Sequence, residues 1–426
     1  MSFESFAAAQ SFFLWSTFVV AMIMGAIVNK TNFCTMGAVS DLVNMGDSGR
    51  IRAWMLAATI AMLGVVILEA LGVFSLGTGT LPPYRGTELQ WGRYILGGVL
   101  FGIGMTLASG CGNKTLIRIG GGNIKSVMVL VIIGVIAYYM VDPYKQILPA
   151  NWYARFFAPW LGKASVSLST PQDLGSIIGG WFGTAALTMR TIIGLVLGVV
   201  SLFLIFRAAD FRKSFDNVFA GLLVGLAIVV VWYFTATTTV TTSDGQQSLT
   251  QFYANWDFVM DSSAGKPQNG STNLLPQSFT FISPIGQAWG YATSGVKASY
   301  MTVGVMAVLG VILGSFLWSL FTKRFRIEWF ASFKDFYTHA IGGILMGFGG
   351  VLGLGCTIGQ GVTGVSTLAL GSFMTLGSII LGSAMTMKIQ YYKLVYEDEA
   401  TFMKAFLTAL VDMKLLPAGL RKLEAV

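Results

Sequence analysis

Charge is scarce in this chain of 426 residues. Lysine, arginine, aspartate and glutamate make up 11% of it, whereas a soluble domain carries about a quarter, so a fully water-facing surface is excluded. There is a single histidine, His339, and there are three widely separated cysteines, Cys34, Cys111 and Cys356, with no C-x-x-C pair. That inventory argues against a zinc site or a disulfide framework, and no nucleotide-binding motif is present, so no cofactor is expected. The first ten residues contain Glu4 and no lysine or arginine, which is not the start of a cleaved secretory leader, and the first apolar stretch is expected to remain. Net charge is +8, but its lysines and arginines sit in short loops between apolar runs. There they set orientation, and no nucleic-acid partner is expected.

What the chain does contain is apolar. Hydrophobic residues reach 54%, with 52 glycines and a mean hydropathy of +0.69, which predicts an all-α polytopic membrane protein partnered by a lipid bilayer. Spans of about 20 residues cross the hydrocarbon core, and nine are expected near 8–28, 52–76, 92–110, 125–141, 190–206, 217–236, 298–321, 338–355 and 370–390. The segments 35–46, 112–122 and 357–368 are too short to cross. Each is expected to be a short re-entrant helix that returns from a break within the membrane.

One stretch occurs twice. Gly97 to Cys111 and Gly342 to Cys356 match at eight of fifteen positions with a constant offset of 245, which is an internal repeat. Gly98 with Gly102 and Gly343 with Gly347 stand four apart, the spacing that lets membrane helices approach closely, and both copies end on a Gly-Cys break. Cys34 closes a weaker version from Gly25. Its partner in the second half is expected at Gly221 and Gly225, where the cysteine position falls on Phe234.

Basic loops set the orientation. Arg207, Arg212 and Lys213 in one loop, and Lys323, Arg324, Arg326 and Lys334 in another, predict cytoplasmic connections. The loop 237–297 is then outside, with residues near 260 facing the periplasm and residues near 328 the cytoplasm. Counting outward gives a periplasmic N-terminus, a cytoplasmic C-terminus and two halves of inverted topology, 1–206 and 207–390, followed by a tail over 391–426. Such halves build midplane sites in many transporters. Residues 237–280 are rich in Ser, Thr, Gly, Asn and Gln and read as solvated. The return motif from Phe279 to Pro284 follows, the 151–161 and 177–185 aromatics suit the interface, and the tail 399–424 reads as an amphipathic surface helix.

Helices that restart at membrane depth present partly positive N-termini. A thiol beside one adds a weak donor and a polarisable sulfur, so the matched ligand is a small anion with a soft terminal atom, such as thiosulfate. Candidate path residues are Cys34, Cys111 and Cys356, with fixed charge from Lys114 and Arg118 and hydrogen bonds from Asn32, Asn113, Gln360, Thr357 and Thr363. Packing accounts for most single cysteines in apolar helices; three at equivalent breaks are harder to explain so. Alternatives are a membrane thiol oxidoreductase or sulfurtransferase, which needs a base near the thiolate that these motifs lack, and a Cu(I) carrier, which the basic neighbours oppose. His339 reads as a solvated interfacial residue, and no span shows an evident acidic relay.

At these residues the chain resembles the YeeE/YedE family of bacterial inner-membrane proteins. The likeness rests on Asn32-Phe-Cys34-Thr-Met-Gly37, Gly97-Gly98 through Ser109-Gly110-Cys111, Gly342-Gly343 through Gly355-Cys356-Thr-Ile-Gly-Gln-Gly361, Ser283-Pro284, and Gly314-Ser-Phe316 with Phe325-Arg326. The resemblance implies a thiosulfate importer, not an enzyme, whose three cysteines line a narrow path between an outer and an inner concavity and pass the anion by S–H contacts to sulfur. It also implies a small cytoplasmic sulfur carrier of the TusA type as partner, and some members are associated with selenium compounds. Thiosulfate members read Gly-Gly-Cys at both later motifs, where this chain has Ser109 and Leu354 as the first residue, and it carries Lys114 at a glycine position.

Overall fold

Inside a bilayer a backbone meets its own hydrogen-bonding needs by forming helices, and the apolar runs of this chain do so. The computed structural model describes residues 1–424 apart from 148, 244 and 260–273. In chain order, β1 (Ser2–Phe3) leads into α1 (Phe6–Thr31), which breaks at Cys34, restarts as α2 (Thr35–Ser40) and is followed by α3 (Gly49–Ala70). After β2 (Glu88–Leu89), α4 (Trp91–Leu107) breaks before Cys111 and restarts as α5 (Gly112–Gly120), with α6 (Ile124–Val141) behind it. A lateral stretch holds α7 (Ala158–Leu161), β3 (Val166–Ser167), α8 (Leu174–Phe182), α9 (Ala186–Phe206) and α10 (Ala209–Lys213). Then come α11 (Phe215–Thr237), β4 (Thr239–Thr242), β5 (Gly245–Ser248), α12 (Leu249–Val259), α13 (Ile282–Thr293), α14 (Val303–Phe321) and α15 (Phe333–Leu352). A short helix over 357–366 restarts after Cys356, and α16 (Leu370–Val395) and α17 (Phe402–Asp412) follow.

All nine expected spans coincide with long helices, and eight candidate spans are long and apolar enough to cross a membrane among the described residues. The ninth, α15, falls short because Lys334, Asp335, Thr338 and His339 load its first turns. It nevertheless packs along α4 and α6 in the core. The expected span 52–76 runs too far. α3 stops at Ala70, and the chain turns back so that the Leu76 amide donates to the buried Glu69 carboxylate at 2.8 Å. Arg85 donates to both oxygens of that carboxylate at 2.7 and 2.8 Å, so the one acidic group buried in α3 is neutralised in place.

The two halves pack as copies of each other. α1 lies on α14 as α11 lies on α3; α4 lies on α16 as α15 lies on α6; α5 meets α14 as the 357–366 helix meets α3. The repeated glycine helices α4 and α15 then meet each other. Gly97 lies against Gly349 and Gly353, while Gly104 lies against Gly342 and Met346, so numbers rise along one helix as they fall along the other. At the next pair the Met1 ammonium donates to the Thr237 carbonyl at 2.6 Å, and β1 pairs with β4, so the start of α1 meets the end of α11. Equivalent helices run antiparallel, which is the inverted repeat.

Two outer regions differ from expectation. The polar stretch after α11 is not simply solvated: β4 and α12 pack Val240, Leu249 and Phe252 onto Phe6, Ala9 and Phe13 of α1. Its tip near 260, expected in the periplasm, lies outside the described residues. The tail does not lie free on a surface either. α17 folds back on α16, burying Ala405, Ala409 and Leu423 against Ile389 and Tyr392.

Candidate functional site

Four short helices restart in the interior, and each begins with the carbonyl of one residue accepting the first helical bond. Cys34 accepts from Ala38 at 3.0 Å, Cys111 from Thr115 at 2.9 Å, Phe281 from Ile285 at 3.1 Å and Cys356 from Gln360 at 2.8 Å. All three cysteines are therefore N-caps, beside the partly positive end of a helix. The fourth cap corrects the sequence reading. α13 packs on α6 and α14 as α2 packs on α16 and α3, so the counterpart of Cys34 is Phe281, which the insertion 238–280 separates from its helix α11, and not Phe234.

The long helices stop before these caps by a left-handed turn. Asn32, Ser109 and Leu354, each two residues before a cysteine, have φ of 52°, 57° and 56°, and the amides of Gly110 and Gly355 reach back five residues to Met105 and Gly350, both at 2.8 Å. That bond closes a helix C-terminus and frees the chain to reverse.

All three thiols are free and buried: Cys34 is 8% exposed, Cys111 3% and Cys356 0%. Cys111 lies within electrostatic reach of both of the others, and the Thr357 hydroxyl faces it. The Cys356 sulfur accepts from the Gly359 amide at 3.4 Å, and the Phe281 and Ile358 amides also point toward it. A sulfur engaged as acceptor by amides keeps its S–H to donate elsewhere. Phe281 and Ile282 of α13 close against Gly112, so the Cys111 and Cys356 caps and the head of α13 form one constriction.

Polar groups in this constriction lack partners. Asn113 Oδ1, Gln360 Oε1 and Thr280 Oγ1 are buried with no hydrogen-bond partner among the described residues, although such groups are nearly always paired. Trp54 Nε1 is in the same condition, its ring stacked on Phe33 at 5.8 Å beside Cys34.

Cavities approach from opposite ends of α15. One, of about 240 Å³, is walled by Arg93, Tyr153, Gln277, Thr280 and Ser283 and reaches Gly350, Leu354 and Gly355. The other, of about 660 Å³, reaches Asn32, Ser109, Lys114 and Arg118, and Asp335 and His339 line its wall. Between His339 and Gly350 the α15 axis rises roughly 16 Å; Asn32, two residues before Cys34, lines the larger cavity, and Gly355, next to Cys356, lines the smaller one. The larger cavity is basic: Lys30, Lys114, Arg118, Lys125, Arg324 and Arg326 face Glu328 and Asp335.

Of the residues expected on the path, Cys34, Asn32 and Lys114 come together at the basic end, where Lys114 donates to Asn32 Oδ1. Asn113 follows the Cys111 cap and is buried, and Gln360 follows the Cys356 cap, its Nε2 donating to the Gly353 carbonyl at 2.8 Å. Thr363 is taken up as a strut, its hydroxyl donating to the Phe279 carbonyl at 2.6 Å. Arg118 sits a turn beyond Lys114 and lines the same cavity, with its Nη1 3.9 Å from where a Cβ at Gly110, the residue before Cys111, would lie. His339 is not a solvated surface residue: it is 7% exposed, and its Nδ1 lies 2.9 Å from an Asp335 carboxylate oxygen, with Lys125 on the other oxygen at 2.7 Å.

Sequence reading missed the supports. Tyr84 donates to the Gly359 carbonyl at 2.7 Å and Arg85 to the Thr367 carbonyl at 3.1 Å, pinning the Cys356 segment from the 71–90 connection. Arg93 donates to the Leu352 and Val351 carbonyls at 2.9 and 3.1 Å, and Tyr153 lies 4.3 Å beneath it; a cation there also complements the negative end of α15. The only local signal was arginine placed next to an apolar span.

A profile of the family described as Sulphur transport matches residues 30–385, which include all three cysteine caps. The chain belongs to the sulphur-transport family. Two relatives of this family's kind carry the name thiosulfate transporter TsuA. The one from Spirochaeta thermophila is 23% identical over 379 residues, covering 87% of this chain and 97% of its own. The one from Escherichia coli is 21% identical over 387 residues, covering 86% and 92%. Family and helices together make this a multi-pass membrane protein of sulfur transport.

Proposed function

We propose that the protein imports a small sulfur-containing anion, thiosulfate, from the smaller cavity through Cys356, Cys111 and Cys34 in turn to the basic cavity. The observation that carries this reading is the set of buried thiols and unpartnered polar groups between two opposed cavities. Moving a bare anion into hydrocarbon costs tens of kcal/mol, and only replacement of its water shell makes passage feasible. Amide ends of the short helices, Asn113, Gln360 and the S–H groups supply weak, multiple contacts. Weakness suits conduction, since a site that is left must not bind tightly. The names of the two relatives support thiosulfate as the cargo.

The same reading makes the smaller cavity periplasmic and the basic cavity cytoplasmic, in a bacterial inner membrane with the N-terminus outside and the C-terminus inside. The halves 1–206 and 207–390 then form the permease, and a TusA-like carrier receives sulfur at the basic face. The protein is not an enzyme in this reading, because among the described residues neither a histidine nor a carboxylate hydrogen-bonds to the thiols to activate them.

The test is growth on thiosulfate as sole sulfur source, in cells lacking other sulfate and thiosulfate uptake. Cys111→Ala and Cys356→Ala abolish growth while the protein remains folded in the membrane, and Cys→Ser at either position does nearly the same, because a hard oxygen replaces a polarisable sulfur. Cys34→Ala, at the edge of the basic cavity, is milder. Wild-type growth of both alanine variants would sink the relay, because a packing role predicts only a small loss.

A further inference from the structure

The fourth restart carries no thiol, yet it is not chemically blank. Immediately before its cap stands Thr280, 8% exposed, with a hydroxyl that has no partner among the described residues. The glycines around Cys356 make room for it: a Cβ at Gly355 would lie 3.3 Å from Thr280 Oγ1, and one at Gly359 would lie 2.3 Å from it. Thr280 also forms part of the wall of the smaller cavity, beside Leu354 and Gly355. A buried hydroxyl held open between two glycines, next to a thiol, gives a site two different ends. We infer that Thr280 is a specificity-determining contact: its hydroxyl donates to an oxygen of the entering oxyanion while the anion's terminal sulfur meets the Cys356 S–H.

This inference rests on the transport reading and deepens it by orienting the cargo. The hard end of thiosulfate is held by a hard donor and the soft end by a soft one. The inverted repeat places it, because Phe281 caps the fourth unit where its three sister units have cysteines, and Thr280 stands one residue before that cap. Phe281 stacks on Phe279 at 6.1 Å; Ser283 of the same unit also lines the smaller cavity, but Thr280 is the hydroxyl that is buried with no partner among the described residues.

Thr280→Val keeps shape and removes the donor, whereas Thr280→Ser keeps the donor and removes a methyl. In purified wild-type protein, thiosulfate is titrated and its dissociation constant measured, and the half-saturating concentration and maximal rate of thiosulfate uptake are measured in vesicles. Thr280→Val should weaken binding about ten-fold, as loss of one hydrogen bond to a charged group does, and raise the half-saturating concentration with the maximal rate retained. Thr280→Ser should stay within about two-fold of wild type. Equal binding by wild type and Thr280→Val overturns the inference alone, as does equal weakening by both variants, which marks a packing role. Wild-type protein that neither binds nor takes up thiosulfate overturns the transport reading itself.

Discussion

Ser109 and Leu354 hold a backbone conformation that a Cβ disfavours by roughly 1–2 kcal/mol, and they hold it twice, at φ of 57° and 56°. The reversal of the chain at each break requires it, which is the physical reason a glycine suits the position. Ser109 is the cleaner test, since its side chain is small and partly exposed. Ser109→Gly should raise the thermal unfolding midpoint of detergent-purified protein by the equivalent of about 0.5–1 kcal/mol, the relief of strain less the entropy that glycine adds to the unfolded chain. Ser109→Val should lower it. The cysteines were legible in sequence because each ends a glycine-marked helix. Thr280 was not, because its chemistry depends on glycines 75 and 79 positions away.

Among the elements, α4 shows how a small-residue pattern becomes geometry. Gly97 and Gly104 face α15, while Gly98 and Gly102 face α16; their counterparts Gly343 and Gly347 face α6, the equivalent of α16. Close approach differs among them. A Cβ at Gly97 would lie 2.2 Å from the Gly353 backbone nitrogen, whereas one at Gly343 would come no nearer than 3.3 Å to the Ile132 side chain and 3.6 Å to the Val129 carbonyl. Backbone cannot swing aside and an isoleucine methyl can. Gly97→Ala should therefore cost about 3 kcal/mol or more and lower the melting midpoint in size-exclusion assays, while Gly343→Ala should cost less than about 1 kcal/mol. Equal tolerance at both positions would mean that α4 and α15 do not meet as closely as the structure has them. The repeat foretold that both helices pack tightly, but not which glycine faces which partner.

For the whole molecule the open question is direction across the membrane. Basic residues cluster at one cavity and in the connections at that end, and such residues stay on the cytoplasmic side. Gln246, in the exposed β4–β5 hairpin, and Ile327, exposed after α14, lie at opposite ends. With the native thiols buried, Gln246→Cys should react with an impermeant maleimide on intact cells, and Ile327→Cys should react only after lysis. Reversed labelling would turn the proposed import path end for end while leaving the fold as it is.

Composition and periodicity determined by themselves that this is a helical membrane protein, that it repeats, and that three thiols hold equivalent places. Those are properties of local pattern, since hydropathy and spacing act along the chain. The buried state of His339, the end of α3 at Ala70, the true fourth cap at Phe281 and the unpartnered Thr280 were decided by tertiary structure alone. Each arises where segments distant in sequence converge: Asp335 and Lys125 around His339, Arg85 on Glu69, the long insertion between α11 and α13, and the Cys356 glycines around a hydroxyl. A sequence records which residues are present, and only the packed chain decides which of their polar atoms find a partner and which are left for a ligand.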